Sequence, residues 1–258
     1  MTESEHIKMT EKAIDYMYQY LDKEITTEEI AAHVGYSTYH FIRIFKEVTG
    51  ITPRHYLSAL RIESSKFLLL HSTDSNLKTL LSIGFRSMGS FSSRFKQYVG
   101  LSPKSFRKKT STYAQQLQKY QEKGGSTIGE NIRRVPYVTS YIEAPASFKG
   151  LIFIGLFPRP IPDQRPAVGT AIKHTQKYCV FSEVPKGEYY VMAAGLPWGL
   201  NPKNYIISKT SLRGKSDKII VSEDSNIEVK IELREPLPFD PPILINLPYL
   251  LFENDKKS

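Results

Sequence analysis

Few side chains in this 258-residue sequence stand at spacings that reaction chemistry could use. Ser93 and Lys96 match the Ser-x-x-Lys pattern of an acylated serine beside its amine base. No companion motif accompanies them and the pair falls inside a repeated helical stretch, so chance accounts for it. There is no Gly-x-Ser-x-Gly, phosphate-binding glycine loop, Cys-x-x-Cys or His-Glu-x-x-His. His40 and His55 lack a second ligand four residues on, which leaves them structural roles and no metal. Cys179 is the single cysteine; it excludes an internal disulfide, fits a reducing compartment and, set in an apolar strand, reads as an inert thiol. Neither an enzyme nor a cofactor is expected.

What the chain has in quantity is cations. Lys and Arg number 35 against 26 Asp and Glu, for a net charge of +9. Residues 1–45 carry a net −4, residues 46–110 a net +9 and the remainder +4. Lys46, Arg54, Arg61, Arg94, Lys96, Lys104, Arg107 and Lys108 all lie in the basic stretch. A field of one sign reaches about a Debye length, roughly 8–10 Å, and attracts polyanions. Nucleic acid is the leading partner, and a merely solvated basic face is the competing reading. No apolar run approaches the ~20 residues that cross a bilayer, and the polar start has no apolar leader segment, so a cytoplasmic protein without membrane contact is expected.

The elements that must hold those cations are legible in residues 1–110. Ile14, Met17 and Leu21 recur at helical spacing. Thr26 followed by Glu29 is a capping box, and the helix it opens ends at Gly35, the residue best suited to a left-handed turn. Ser37 then caps TYHFIRIFKEV, with Phe41, Ile44, Phe45 and Val48 on one face. Helix, tight glycine turn and second capped helix make a helix-turn-helix. Thr52-Pro53 starts a longer helix through Tyr56, Leu57, Leu60, Phe67 and Leu68.

The pattern then recurs. GYSTYHFIRIFKEVTGITP (35–53) aligns with GFRSMGSFSSRFKQYVGLSP (84–103) with one extra residue in the second turn. Gly35 pairs with Gly84, Phe41 with Phe91, Phe45 with Phe95, Lys46 with Lys96, Gly50 with Gly100 and Pro53 with Pro103. Two similar units joined by one helix follow.

In a helix-turn-helix the second helix enters the major groove of duplex DNA and its first residues face base edges. Thr38, Tyr39, Ile42 and Arg43 occupy that place in the first unit. Arg43 can donate both arms of its fork to guanine O6 and N7, while Thr38, Tyr39 and Ile42 can meet thymine methyls. Arg43 as a solvated arginine and Tyr39 as a core aromatic remain alternatives, as do acid partners for Lys46 and Lys96. The equivalent second-unit residues are Met88, Gly89, Ser92 and Ser93, with no long cation before Arg94, so that unit is expected to anchor more than to read. Ser37, Lys46, Arg54, Arg61, Arg94, Lys96, Lys104, Arg107 and Lys108 suit phosphates, which set register without reading sequence. The joining helix would hold the two recognition helices about one DNA turn apart, ~34 Å.

The two glycine-aromatic turns, the two Phe-Lys pairs and the endings TGITPRHYLSALRI and VGLSPKSFRK resemble the paired helix-turn-helix domain of the AraC/XylS family of transcription regulators. The resemblance covers residues 7–108. It implies a sequence-specific double-stranded-DNA-binding regulator, an activator that works with RNA polymerase, and places Tyr39, Ile42 and Arg43 at base-contact positions. Asn76, Thr79 and Leu80 depart from the family's Ile-x-x-Ile-Ala pattern ahead of the second turn.

Residues 1–110 are therefore expected as an all-α double helix-turn-helix of homeodomain-like repeats, 111–134 as a linker, and 135–258 as an all-β, sandwich-like domain. VTSYI, GLIFIGLF, TAIKH, YCVFSEV, EYYVMAAGL, NYIIS, KIIVS and IEVKIEL read as its strands. KYCVFSEVPKGEYYVMAA resembles the turn-and-strand of transthyretin-like and carboxypeptidase-regulatory β-sandwiches. Such a domain could bind a small effector, dimerise or dock a protein partner, with Tyr189, Tyr190, Trp198 and Tyr205 as an aromatic pocket. The competing function is a sugar- or peptide-binding sandwich whose basic helical part reads no DNA sequence.

Overall fold

The computed structural model describes residues 2–71, 83–122, 134–199 and 211–254. It divides into two compact units, Met1–Lys108 with Leu237–Leu244, and Lys109–Pro236 with Ile245–Ser258. Among the described residues no helix is long and apolar enough to cross a membrane.

The first unit begins with α1 (Glu3–Gln19), which buries Met9, Ala13, Ile14 and Met17. Thr26 caps α2 (Thr27–Val34) as its spacing to Glu29 predicts: the Glu29 amide donates to Thr26 Oγ1 at 3.2 Å, and the Thr26 amide to Glu29 Oε2 at 2.7 Å. Gly35 turns the chain with φ +82°, and the two amides that follow α2 donate to Ala32 O and Ala31 O, which would otherwise be unpaired helix-end carbonyls. Then come α3 (Thr38–Thr49), α4 (Pro53–His71), α5 (Met88–Val99) and α6 (Pro103–Glu122).

The sequence repeat is a geometric repeat. Gly50 and Gly100 end α3 and α5 at φ +80° and +86°, and their amides donate to Lys46 O and Lys96 O. Behind α3, Phe41 and Phe45 lie 5.5 Å apart, and Phe45 meets Tyr56 edge-on at 5.4 Å. Behind α5, Phe91 and Phe95 lie 5.6 Å apart, and Phe95 meets Phe106 edge-on at 5.3 Å. Thr52 and Ser102 cap the following helices through the amides of His55 and Ser105.

Three features of this unit depart from the sequence-based expectation. Phe67 is exposed and stacks on His71, while the inward face of α4 runs through Tyr56, Leu60, Ile62, Lys66 and Leu69. Polar composition suggests a linker or a frayed helix from 111; α6 continues to Glu122, burying Tyr113 and Leu117 four residues apart, and from Lys109 on it belongs to the second unit. The unit also includes Leu237–Leu244, far along the chain: Tyr56 Oη donates to Asp240 O at 3.1 Å and Lys66 Nζ to Ile243 O at 3.0 Å.

The second unit holds two sheets. One has the order β4 (Tyr178–Phe181), β1 (Tyr137–Glu143), β7 (Asn226–Glu232); the other β3 (Val168–Lys173), β2 (Gly150–Phe157), β5 (Gly187–Pro197), β6 (Leu212–Val221). Neighbours are antiparallel except β1 and β7, which run parallel with Val138 opposite Ile227. Val138, Ile142, Phe181 and Ile231 from one sheet share a core with Ile152, Ile154, Leu156, Ile172 and Val191 from the other. The unbroken apolar run of β2 is buried along its whole length, so both its faces are covered. NYIIS lies outside the described residues. The all-β expectation needs one correction, since α7 (Leu247–Asn254) is helical. Asn246 Oδ1 caps it by accepting from the Tyr249 amide at 3.1 Å, and Pro248 sits in the first turn where its missing N–H costs nothing.

Cys179 faces this core, and burial pushes its thiol up to about 12. Almost no thiolate exists at pH 8, so native protein should react with iodoacetamide orders of magnitude more slowly than urea-unfolded protein. Equal rates, read by mass spectrometry, would place the thiol at the surface. Because neutral thiol is favoured in the fold, this group's stabilisation is complete below its ordinary value near 9 and is lost as pH rises toward 12.

Candidate nucleic-acid interface

The local sequence of α3 divides the helix into two faces. Phe41, Ile44 and Phe45 are wholly buried, which turns Tyr39, Arg43 and Lys46 outward, with Thr38 and Ile42 half-buried at the border. Tyr39 is 83% exposed, so it is no core aromatic. Arg43 pairs with Glu47 one turn on at 3.5 Å. Both side chains are solvated, and an exposed i,i+4 pair of this kind holds the guanidinium by only about 0.3–0.5 kcal/mol. A stronger acceptor can take it. Ser37 stands at the N-cap position without a cap hydrogen bond from its side chain.

On α5 the same division recurs with different chemistry. Phe91 and Phe95 are buried while Met88, Gly89, Ser93, Arg94 and Lys96 face outward, and Ser92 is half-buried. A Cβ built at Gly89 meets nothing within 4 Å. Ser87 caps this helix by accepting from the Ser90 amide at 3.2 Å. Arg54, Lys104 and Lys108 are exposed at the starts of α4 and α6, with Arg107 half-buried. The candidate readers and most candidate phosphate arms therefore occupy one unit, on the outer faces of its helices.

Arg61 does not join them. Its Nε donates to Leu21 O at 3.1 Å and its Nη2 to Lys23 O at 2.6 Å. Burial, and after it the nearby charge of Arg94, lowers its pKa. A fork committed to two carbonyls is not a phosphate arm, and the expectation for Arg61 is corrected accordingly.

Among the described residues, those expected to form the aromatic pocket do not converge on one face. Tyr189 points into the inter-sheet core, where its hydroxyl donates to Pro185 O at 3.0 Å. Tyr190, the next residue on the strand, must face the other way. Trp198 follows the end of β5, its amide donating to Lys149 O at 2.9 Å, and Tyr205 lies outside the described residues. Among the described residues no group of three or more His, Cys, Asp or Glu could hold a metal ion.

Residues 30–109 match the family model of a helix-turn-helix domain. The chain is 34% identical over 95 residues to the melibiose operon regulatory protein of Escherichia coli K12, covering 37% of this chain and 32% of that protein. It is 34% identical over 104 residues to the HTH-type transcriptional regulator ArgR of Pseudomonas aeruginosa, covering 40% of this chain and 31% of that protein. It thus spans about a third of the length of the curated relatives it matches. Among solved structures, an AraC-type transcriptional regulator from Chromobacterium violaceum aligns with 27% identity and a TM-score of 0.39, over 40% of this chain and 91% of that one.

Proposed function

We propose, from the premise that residues 30–109 are an AraC-type helix-turn-helix domain, that the protein is a sequence-specific duplex-DNA-binding regulator of transcription. The observation that carries the reading is the two-faced α3, which turns Tyr39 and Arg43 outward from an aromatic core that α5 duplicates. In this reading the two homeodomain-like repeats share the work unequally. Thr38, Tyr39, Ile42 and Arg43 read bases; Met88, Gly89, Ser92 and Ser93 present little that can discriminate them. Ser37, Lys46, Arg54, Arg94, Lys96, Lys104, Arg107 and Lys108 hold phosphates. RNA polymerase is the partner downstream of DNA binding. The two sheets, read as a sandwich, would modulate the DNA-binding unit through a small effector or a protein partner. No catalytic step belongs to this function.

Duplexes selected from a random library by the full chain test it. Against the selected duplex, Arg43→Ala should weaken binding by about 1–3 kcal/mol and relax preference at one base pair, leaving binding to random duplex nearly unchanged. A uniform loss on all sequences would make Arg43 a phosphate contact. Failure to select any duplex would remove the regulator reading itself.

A further inference from the structure

The three elements that meet at Arg61 belong to different parts of the duplicated unit. Leu21 and Lys23 lie in the turn after α1, on the side of the first repeat. Arg61 projects from α4, which joins the repeats, and Gly84 is the turn glycine of the second repeat. One planar fork donates to both turn carbonyls, at 3.1 and 2.6 Å, the Lys23 carbonyl accepting from the Ile25 amide as well. Gly84 closes on the same point at φ +74°. A Cβ built there would stand 2.6 Å from Leu21 O, 3.1 Å from Arg61 Nη2 and 3.2 Å from Arg61 Cζ. Glycine is needed at 84 for its turn conformation and again for this approach. Two residues on, Arg86 forms an ion pair with Glu24 from the same α1 turn, well exposed and so a weak addition to the contact. Arg94, at the middle of α5, is near enough for its charge to be felt at Arg61.

We infer that Arg61 is a positioning residue: with Gly84 and the Leu21–Glu24 turn it latches the second helix-turn-helix to the first, and so sets which phosphates the second unit holds relative to the bases the first unit reads. The inference rests on the DNA-reading function proposed above for its consequence, but not for its geometry. α4 joins the two repeats and also meets α5, where His55 stacks on Tyr98 with ring centroids 6.1 Å apart. The attachment from the α1 turn ties the second repeat to a further element of the first and restricts its rotation about α4. Lysine would keep the charge and the stem but offers a point charge in place of a fork, so it cannot hold both carbonyls in fixed directions.

Two measurements on the full chain separate the latch from the DNA reading. In the first, spin labels at Tyr39→Cys and Gly89→Cys report the distance between α3 and α5, while Cys179 is too buried to label. The parent should give one narrow distance distribution, and Arg61→Lys, Arg61→Met and Gly84→Ala should each broaden it by about twofold or more, with circular dichroism still showing cooperative unfolding. A distribution as narrow in Arg61→Lys and Arg61→Met as in the parent sinks the latch, whatever happens with DNA. The second measurement uses the duplex selected by the parent, with backbone phosphates ethylated one at a time outside the selected bases. The Arg61 variants should bind the unmodified duplex about tenfold or more weaker and lose the parent's sharp set of interfering phosphates on the second unit's side, while binding to random duplex stays within about twofold. An unchanged interference pattern overturns the inference, as does an equal loss on every duplex, which would return Arg61 to the phosphates.

Discussion

Replacing Phe45 or Phe95 by alanine should each destabilise the helical unit by about 3–5 kcal/mol, to similar extents. Both rings are wholly buried, and each stands between two aromatic neighbours in the same arrangement: Phe41 and Tyr56 for one, Phe91 and Phe106 for the other. Truncation loses the transfer energy of a phenyl ring and leaves a cavity between a helix that ends on a glycine cap and one that starts from a capping hydroxyl, so little collapse can offset it. Against a typical domain stability of roughly 5–15 kcal/mol, either change removes a large fraction. Urea unfolding followed by circular dichroism measures it. A loss at Phe95 below about 1 kcal/mol would mean that the second repeat is packed more loosely than the first and that its sequence match overstates its structure.

The features that sequence reading captured are those encoded within a few residues. Thr26 with Glu29, the glycines at 35, 50 and 100, and the prolines at 53 and 103 are local devices whose partners lie within one turn of helix, and each sits where its chemistry placed it. The face of α3 was legible for the same reason, because helical period alone sends Phe41 and Phe45 inward and Arg43 outward. Arg61 was misassigned because its acceptors lie about 40 residues upstream, and nothing local distinguishes a cation bound for a carbonyl from one bound for a phosphate. The grouping of Tyr189 with Tyr190 in one pocket, by contrast, conflicts with information already in the sequence. Tyr189 and Tyr190 are consecutive on a strand, and strand alternation forbids them a common face. The last helix escaped because Leu247–Asn254 is short and apolar without a clear helical period, and its start is marked only by the Asn246 cap and Pro248.

The least legible part of the helical unit is also the source of the second large effect expected. Residues 237–244, LPFDPPIL, have no period of either kind and three prolines, so they read as a loop. Yet they complete the unit that begins at Met1. Lys66, only 2% exposed, donates to Ile243 O, Tyr56 donates to Asp240 O, and Ile243 and Leu244 are buried. Lys66→Ala removes a buried four-carbon stem, comparable with a Met→Ala change of about 2–5 kcal/mol. It also takes this donor from the Ile243 carbonyl, adding about 1–3 kcal/mol if no water replaces it. Lys66→Met keeps the stem and removes the ammonium with its interactions, the hydrogen bond to Ile243 O among them. Leu244→Ala, with a wholly buried side chain, should cost about 2–5 kcal/mol as well. The informative readout is amide hydrogen exchange in the full chain. If the segment is part of the helical unit, all three variants will accelerate exchange in α4, and Leu244→Ala will do so from a substitution more than 170 residues away along the chain. Exchange in α4 that stays at parent rates while β2 and β5 lose protection would assign Leu244 to the sheets instead. A fragment ending near residue 110 would then be as stable as the same helices in the full chain; with the segment as a working part of the core, that fragment must be the weaker of the two.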